Sequence, residues 1–213
     1  MKNTNSIIYD VETKRPWPSR DCTPETFPNV EFCQGAGDHT GMGIACICAY
    51  DFLTDTYHVF LEDNLKDFQK LVDRADHILG FNSKAFDDKV CWGNGIGVNT
   101  TLDVMEEVRH ASGQPRQYTR GITKKGYNVD NIAQVNFGIS KTEASAMAPI
   151  LWQRGEYGRV VSYCLYDVKL EKMIWERLVL GELIDPVTHH ILTYEPAWGQ
   201  PKSRAVEIDP LPV

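Results

Sequence analysis

Several features are missing from this chain of 213 residues, and each absence removes a class of function. No apolar run approaches the roughly 20 residues that a membrane-spanning helix needs, so no membrane partner is expected. The opening Met1-Lys2-Asn3-Thr4-Asn5-Ser6 has no apolar signal segment and leads straight toward a first strand. Cysteines occur at Cys22, Cys33, Cys46, Cys48, Cys91 and Cys164, never as Cys-x-x-Cys, so free thiols and an intracellular, cytoplasmic setting are expected. Zinc held by Cys22, Cys33 and His39 with Asp21 or Asp38 finds no support in that spacing. Cys46 and Cys48, two apart on a strand, read as small core thiols. Repeats and low-complexity tracts are absent. What remains is 42% hydrophobic residues, enough to bury one core. A single domain over 1–213 is therefore expected, with an insertion at about 14–42 and an irregular tail from about 186, where prolines from Pro186 to Pro212 gather.

An excess of positive charge is missing too. The net charge of −7 is unlike that of most proteins that grip phosphate backbones. The acidic residues, however, are not evenly spread. Asp10 and Glu12 end an apolar run, Ile7-Ile8-Tyr9-Asp10-Val11-Glu12-Thr13; Asp87 follows Gly80-Phe81-Asn82-Ser83-Lys84-Ala85-Phe86; Asp167 lies in Tyr163-Cys164-Leu165-Tyr166-Asp167. Side chains alternate along a strand, so Asp10 and Glu12 share a face, where paired carboxylates repel unless a cation lies between them. Hard divalent cations with oxygen ligands answer that need, and two of them bound at the site would bring the charge from −7 to −3.

Asp-x-Glu-Thr, then Asn-x-x-x-Phe-Asp, then Tyr-x-x-x-Asp resemble the three motifs of the DEDD superfamily of 3′→5′ exonucleases, in its tyrosine subgroup. The resemblance runs from about Ser6 to Arg177. Asn131-Ile132-Ala133, Leu151-Trp152 through Gly155, and Val160-Val161-Ser162-Tyr163 look like the region before the third motif in exonucleases related to family B polymerases. The resemblance implies a ribonuclease H-like α/β fold, a mixed central sheet flanked by helices. It also implies a stand-alone, metal-dependent exonuclease that releases nucleoside 5′-monophosphates. Asp10, Glu12, Asp87 and Asp167 would hold two divalent cations, Mg²⁺ or Mn²⁺. Asp10 would bridge both, Glu12 and Asp167 would complete the ion that activates water, and Asp87 would support the other. Tyr163 would orient the attacking water, since a phenol of ordinary pKa is a poor base at neutral pH. Asp88 competes with Asp87 for the second-motif role. Single-stranded DNA is the first choice of substrate, with RNA as the alternative and an inactive nucleic-acid-binding module as the reading from another class.

The elements fit that scheme. Strands are expected over Ser6–Val11, Gly43–Phe52, Thr56–Leu61 and His77–Phe81, and near Thr101–Val104. Helices are expected from Leu65, around Asp87 with Phe86, Val90 and Trp92 buried, near Met105–Ala111, and over about Tyr157–Leu180 with Val161, Leu165, Val168, Ile174 and Leu178 inward. On that last helix Tyr163 and Asp167 are four apart and share a face. Asp103 could approach the site or cap a helix. Asn82 is expected to steady the turn before Asp87 and touch the substrate sugar, with Thr13 and Lys84 as lesser contacts. Arg116, Arg120, Lys124 and Lys125, interleaved with Tyr118 and Tyr127, suit a single strand, cations on phosphates and rings against bases; the alternative is a solvated loop that its aromatic residues anchor.

Overall fold

The computed structural model describes residues 5–139 and 147–195. At its centre is β1 (Ser6–Thr13), paired antiparallel with β2 (Ile44–Asp51), which pairs antiparallel with β3 (Thr56–Phe60). On the other side β4 (His77–Gly80) runs parallel to β1, and β5 (Leu102–Asp103) parallel to β4, giving the order β3-β2-β1-β4-β5. Helices α1 (His39–Met42), α2 (Leu65–Arg74), α3 (Asp87–Gly93), α4 (Val104–Ala111), α5 (Val129–Phe137), α6 (Ala148–Gln153) and α7 (Tyr157–Leu180) complete the described elements. This is an α/β, ribonuclease H-like architecture, as the motif order implies. No helix among the described residues is long and apolar enough to cross a membrane.

Alternation along β1 divides the core. Ile7, Tyr9 and Val11 pack on one face with Phe68, Leu71 and Val72 of α2 and with Val90 and Cys91 of α3. Ile8 turns to the other face and joins Val108 of α4, Ile132 of α5 and Val168 and Ile174 of α7. Burying each large aliphatic side chain contributes about 1.5–3 kcal/mol, so the register of β1 is firmly set. Asp10 and Glu12 follow Ile8 in the alternation and emerge on the face that α7 covers.

α7 keeps Val160, Cys164, Val168, Ile174 and Leu178 buried and stops at Gly181, whose φ of 69° few other residues adopt. Val161 and Leu165, expected inward, are half-buried against the same core, while Val160 and Cys164 take the deeper positions. One expectation for α3 fails. Trp92 is 50% exposed, and Cys91 is buried in its place. Asp87, Val90 and Cys91 share one face at i, i+3 and i+4, and residue i+5 has rotated off it.

Two local features aim the second motif. A Cβ on Gly80 would lie 3.0 Å from the Tyr9 carbonyl and collide with Ser83, so β4 can approach β1 only with glycine there. Asn82 then takes φ 63°, a turn conformation that asparagine tolerates. Asp103 settles as a cap. Its buried carboxylate accepts from the N–H groups of Met105 and Glu106, and also from Asn82 (2.9 Å) and Lys84 (3.3 Å), tying this turn to α4.

The segment 14–42 is a long loop ending in α1. Gln153 anchors it, donating to the Lys14 and Glu31 carbonyls and accepting from the Glu31 N–H. The expected tail begins as packed structure. Leu192 and Tyr194 enter the core, and the Tyr194 hydroxyl donates to Glu107 at 3.0 Å. The rest of that tail, 196–213, lies outside the described residues.

Candidate metal and nucleic-acid site

The three motifs converge on one cleft of about 750 Å³, whose lining includes Asp10, Glu12, Thr13, Asn82, Asp87 and Asp167. β1 carries two of the carboxylates, the start of α3 carries Asp87, and the middle of α7 carries Asp167. One carboxylate oxygen each of Asp10, Glu12 and Asp167 lies within 4.8 Å of the others. Such a group could hold a metal ion. The pairing of β1 with β2 shifts register between Glu12 and Thr13, a bulge of the kind that re-aims side chains beside functional sites.

Asp87 stands at the edge of this group. It is 5% exposed and accepts from the Val11 N–H at 3.3 Å. Burial, and then the charge of Asp10, push its carboxyl well above the ordinary aspartate range. A divalent cation would reverse that penalty. Its neighbour Asp88 has a different fate. That carboxylate turns into the core, accepting from the Tyr9 hydroxyl at 2.5 Å and from the Thr100 N–H and hydroxyl. Of the two, only Asp87 lines the cleft.

Tyr163 lies one turn before Asp167 on α7, as its spacing requires, but it is 6% exposed and belongs to the core outside the lining of the cleft. The lining also contains Glu171, one turn beyond Asp167, and Arg109 of α4. Sequence reasoning missed both. Glu171 was legible in hindsight, because Tyr163, Asp167 and Glu171 repeat at i, i+4 and i+8. Arg109 carried no signal, since its position depends on how α4 docks.

A second, smaller recess adjoins the first and shares Asn82, Met105 and Arg109 with it. Lys84, Arg116 and Tyr118 also line it. Lys84 pairs with Glu106 at 2.7 Å, and one edge of the Arg116 guanidinium donates through Nε and Nη2 to the two carboxylate oxygens of Glu107. Arg120, Lys124 and Lys125 are exposed on the following loop and line neither recess. Tyr118 is 67% exposed. Tyr127 takes the anchoring role: it is buried, with its hydroxyl on Asp185, and ties the loop to the body. Trp17 from the long loop packs over Phe86 with ring centroids 5.9 Å apart, and both line the main cleft. Cys22, Cys33 and His39 do not form a metal-holding group among the described residues.

The chain matches no family model. No curated protein matches it either. Among solved structures it is similar to the family B DNA polymerase from the hyperthermophilic archaeon Pyrobaculum calidifontis, with a TM-score of 0.54 and 14% identity. That likeness covers 87% of this chain and 26% of the polymerase, and at such identity it is a likeness of fold.

Proposed function

We propose that the chain is a metal-dependent 3′→5′ exonuclease that shortens single-stranded DNA from its 3′ end, releasing nucleoside 5′-monophosphates. The observation that carries this reading is the convergence of Asp10, Glu12 and Asp167 within 4.8 Å, with Asp87 lining the same cleft. The fold adds support, because polymerases of family B belong to a lineage whose proofreading domains share the three motifs. The donor set is all oxygen, which suits Mg²⁺ or Mn²⁺ and disfavours softer ions.

Divalent cations held there supply Lewis acidity to the scissile phosphate and lower the pKa of a bound water. The chain's own residues do the rest. Asp10, Glu12 and Asp167 fix the coordinating oxygens on two rigid elements, and Asp87 holds the opposite edge from α3. Trp17 and Phe86, their rings tilted by 55°, give the terminal base an apolar corner to pack against. Arg109 offers a cation between the two recesses for the next phosphate, and Tyr118 a ring for the next base. Lys84 and Arg116, both already paired, shape this path more than they bind it. Tyr163 acts on the attacking water from the buried side, a contact of the kind that tightens only when substrate is bound.

The test is side-by-side digestion of end-labelled single-stranded DNA, single-stranded RNA and duplex with Mg²⁺, Mn²⁺, Ca²⁺ or chelator. Mononucleotide release from the 3′ end of DNA with Mg²⁺ or Mn²⁺, and none with Ca²⁺ or chelator, is expected. Faster release from RNA would move the substrate to the ribonucleases of the same fold. No release from any substrate would leave a binding module.

A further inference from the structure

Beside the carboxylates lies a second donor set of opposite chemistry. Cys46 and Cys48 are adjacent same-face positions of β2, and in the sheet they pair with Glu12 and Asp10 respectively. Cys164 descends on them from α7, three residues before Asp167. All three are completely buried, and their sulfurs lie within 4.8 Å of one another. No covalent bond joins them. The Cys164 thiol donates to the Asp10 carbonyl at 3.5 Å and the Cys48 thiol to the Val161 carbonyl at 3.9 Å, which aims both sulfurs into the seam between β2 and α7.

We propose that Cys46, Cys48 and Cys164 form a site for one thiophilic d¹⁰ cation, Zn²⁺, which clamps α7 to β2 beside the carboxylate cleft. Three sulfurs at a zinc–sulfur distance of about 2.3 Å sit about 4 Å apart, so contraction by less than about an ångström brings all three to bonding distance, with one coordination position left over. The two donor sets then sort cations by hardness. The carboxylates of Asp10, Glu12, Asp87 and Asp167 take Mg²⁺ or Mn²⁺, and the sulfurs of Cys46, Cys48 and Cys164 take Zn²⁺. The sulfur site lies in the core, so it fills as the chain folds, with release of the thiol protons. This inference stands apart from the nuclease reading, because it concerns other residues and another ion.

The chain is produced in zinc-supplemented medium, purified with excess Mg²⁺ to occupy the carboxylates, and assayed for bound zinc. Cd²⁺ is then exchanged in, and its thiolate charge-transfer band is read in the ultraviolet. Expected is about one zinc per chain, and a cadmium band that persists in Asp167→Asn and Cys22→Ser. Cys164→Ser and Cys46→Ser should each cut retained metal at least about tenfold. Wild-type protein with neither zinc nor a cadmium band would overturn the proposal, as would a band that survives Cys164→Ser. Should one serine variant fail to fold, the other and the wild-type stoichiometry still decide.

Discussion

Buried carboxylates occur in two kinds of place in this molecule. Asp51, Asp88, Asp103 and Asp185 are each surrounded by donors: Asp51 by Arg74, the Thr54 hydroxyl and the Leu53 N–H, Asp185 by the Tyr127 hydroxyl and the N–H groups of Val187 and Thr188. Asp51, Asp103 and Asp185 hold turns and a helix start in place, and Asp88 ties β1 to the segment at Thr100. In the cleft, by contrast, Asp10, Glu12 and Asp167 face one another, and Asp87 is buried beside Asp10. Burying a charge costs several kcal/mol unless it is compensated. A divalent cation among these oxygens would add compensation of the kind that donors give the other four. Adjacent Asp87 and Asp88 show the contrast within one dipeptide.

The strongest way to break this contrast is at Asp10. Asp10→Asn should lower turnover on single-stranded DNA roughly a thousandfold or more, because it removes the charge and one oxygen of the carboxylate proposed to bridge both ions. It should leave metal-free thermal stability unchanged or raised, since one of several repelling charges disappears, and it should erase the stabilisation that Mn²⁺ gives the parent. Thermal melts with and without Mn²⁺, beside single-turnover rates, read all three. A variant that keeps a tenth of the activity would remove the cleft from the metal chemistry.

The neighbouring pair sharpens the contrast. Asp88→Ala strands the buried Tyr9 hydroxyl and Thr100 N–H and should cost roughly 2–4 kcal/mol of stability, while activity per folded molecule changes little. Asp87→Asn should do the reverse, losing activity and keeping the fold. Chemical denaturation paired with active-site titration distinguishes them. If the two phenotypes were exchanged, the second motif would be read one residue out of place.

Much of this division is legible in the sequence. The apolar run ahead of Asp10 and Glu12 dictates a strand, and its alternation dictates a shared face. The i, i+4 spacing of Tyr163 and Asp167 dictates a shared helix side. The limits of α7 follow from a long periodic stretch closed by Gly181. What stayed hidden depends on docking. Nothing local says that Arg109 reaches the cleft, that Tyr127 turns inward to Asp185, or that Cys164 meets Cys46 and Cys48. These are contacts between elements far apart in sequence, and periodicity describes only one element at a time. Trp92 shows the smaller failure: an apolar residue reads as core, although the helix carries it past the buried face.

Tyr163 tests whether the boundary between core and cleft is functional. If its hydroxyl reaches the attacking water when substrate is bound, Tyr163→Phe should lower the rate roughly tenfold to a thousandfold without changing Mn²⁺ affinity or stability by much. Asp167→Ala should weaken both metal binding and rate. Full activity of Tyr163→Phe at every pH would make it a packing residue, as its burial alone suggests.

A satisfied carboxylate should also announce itself by its pH dependence. Burial pushes Asp51 up, but hydrogen bonds from Thr54, Arg74 and Leu53 outweigh it and hold the group below its ordinary 3.8. A lowered native pKa means that the unfolded chain binds the proton first. The stability Asp51 contributes is thus full above about pH 4 and is lost as pH falls through the native value. Asp51→Asn should cost about 1–3 kcal/mol at neutral pH, with the gap closing in acid. A gap independent of pH would mean that shape, not charge, holds this corner.

The smallest effect is expected on the loop that carries Arg120, Lys124 and Lys125. These cations are exposed and line neither recess, whereas Arg109 lies between the two. If the loop only gathers substrate through long-range attraction, replacing all three with alanine should raise the apparent Michaelis constant a few-fold at low salt and leave saturated turnover within about twofold. The effect should fade as added salt screens the charges. Arg109→Ala should instead raise the constant at every salt concentration, because a contact inside the cleft is screened far less. Equal salt profiles for the parent and the triple variant would return the loop to an ordinary solvated surface and leave Arg109 as the cation that matters for the strand.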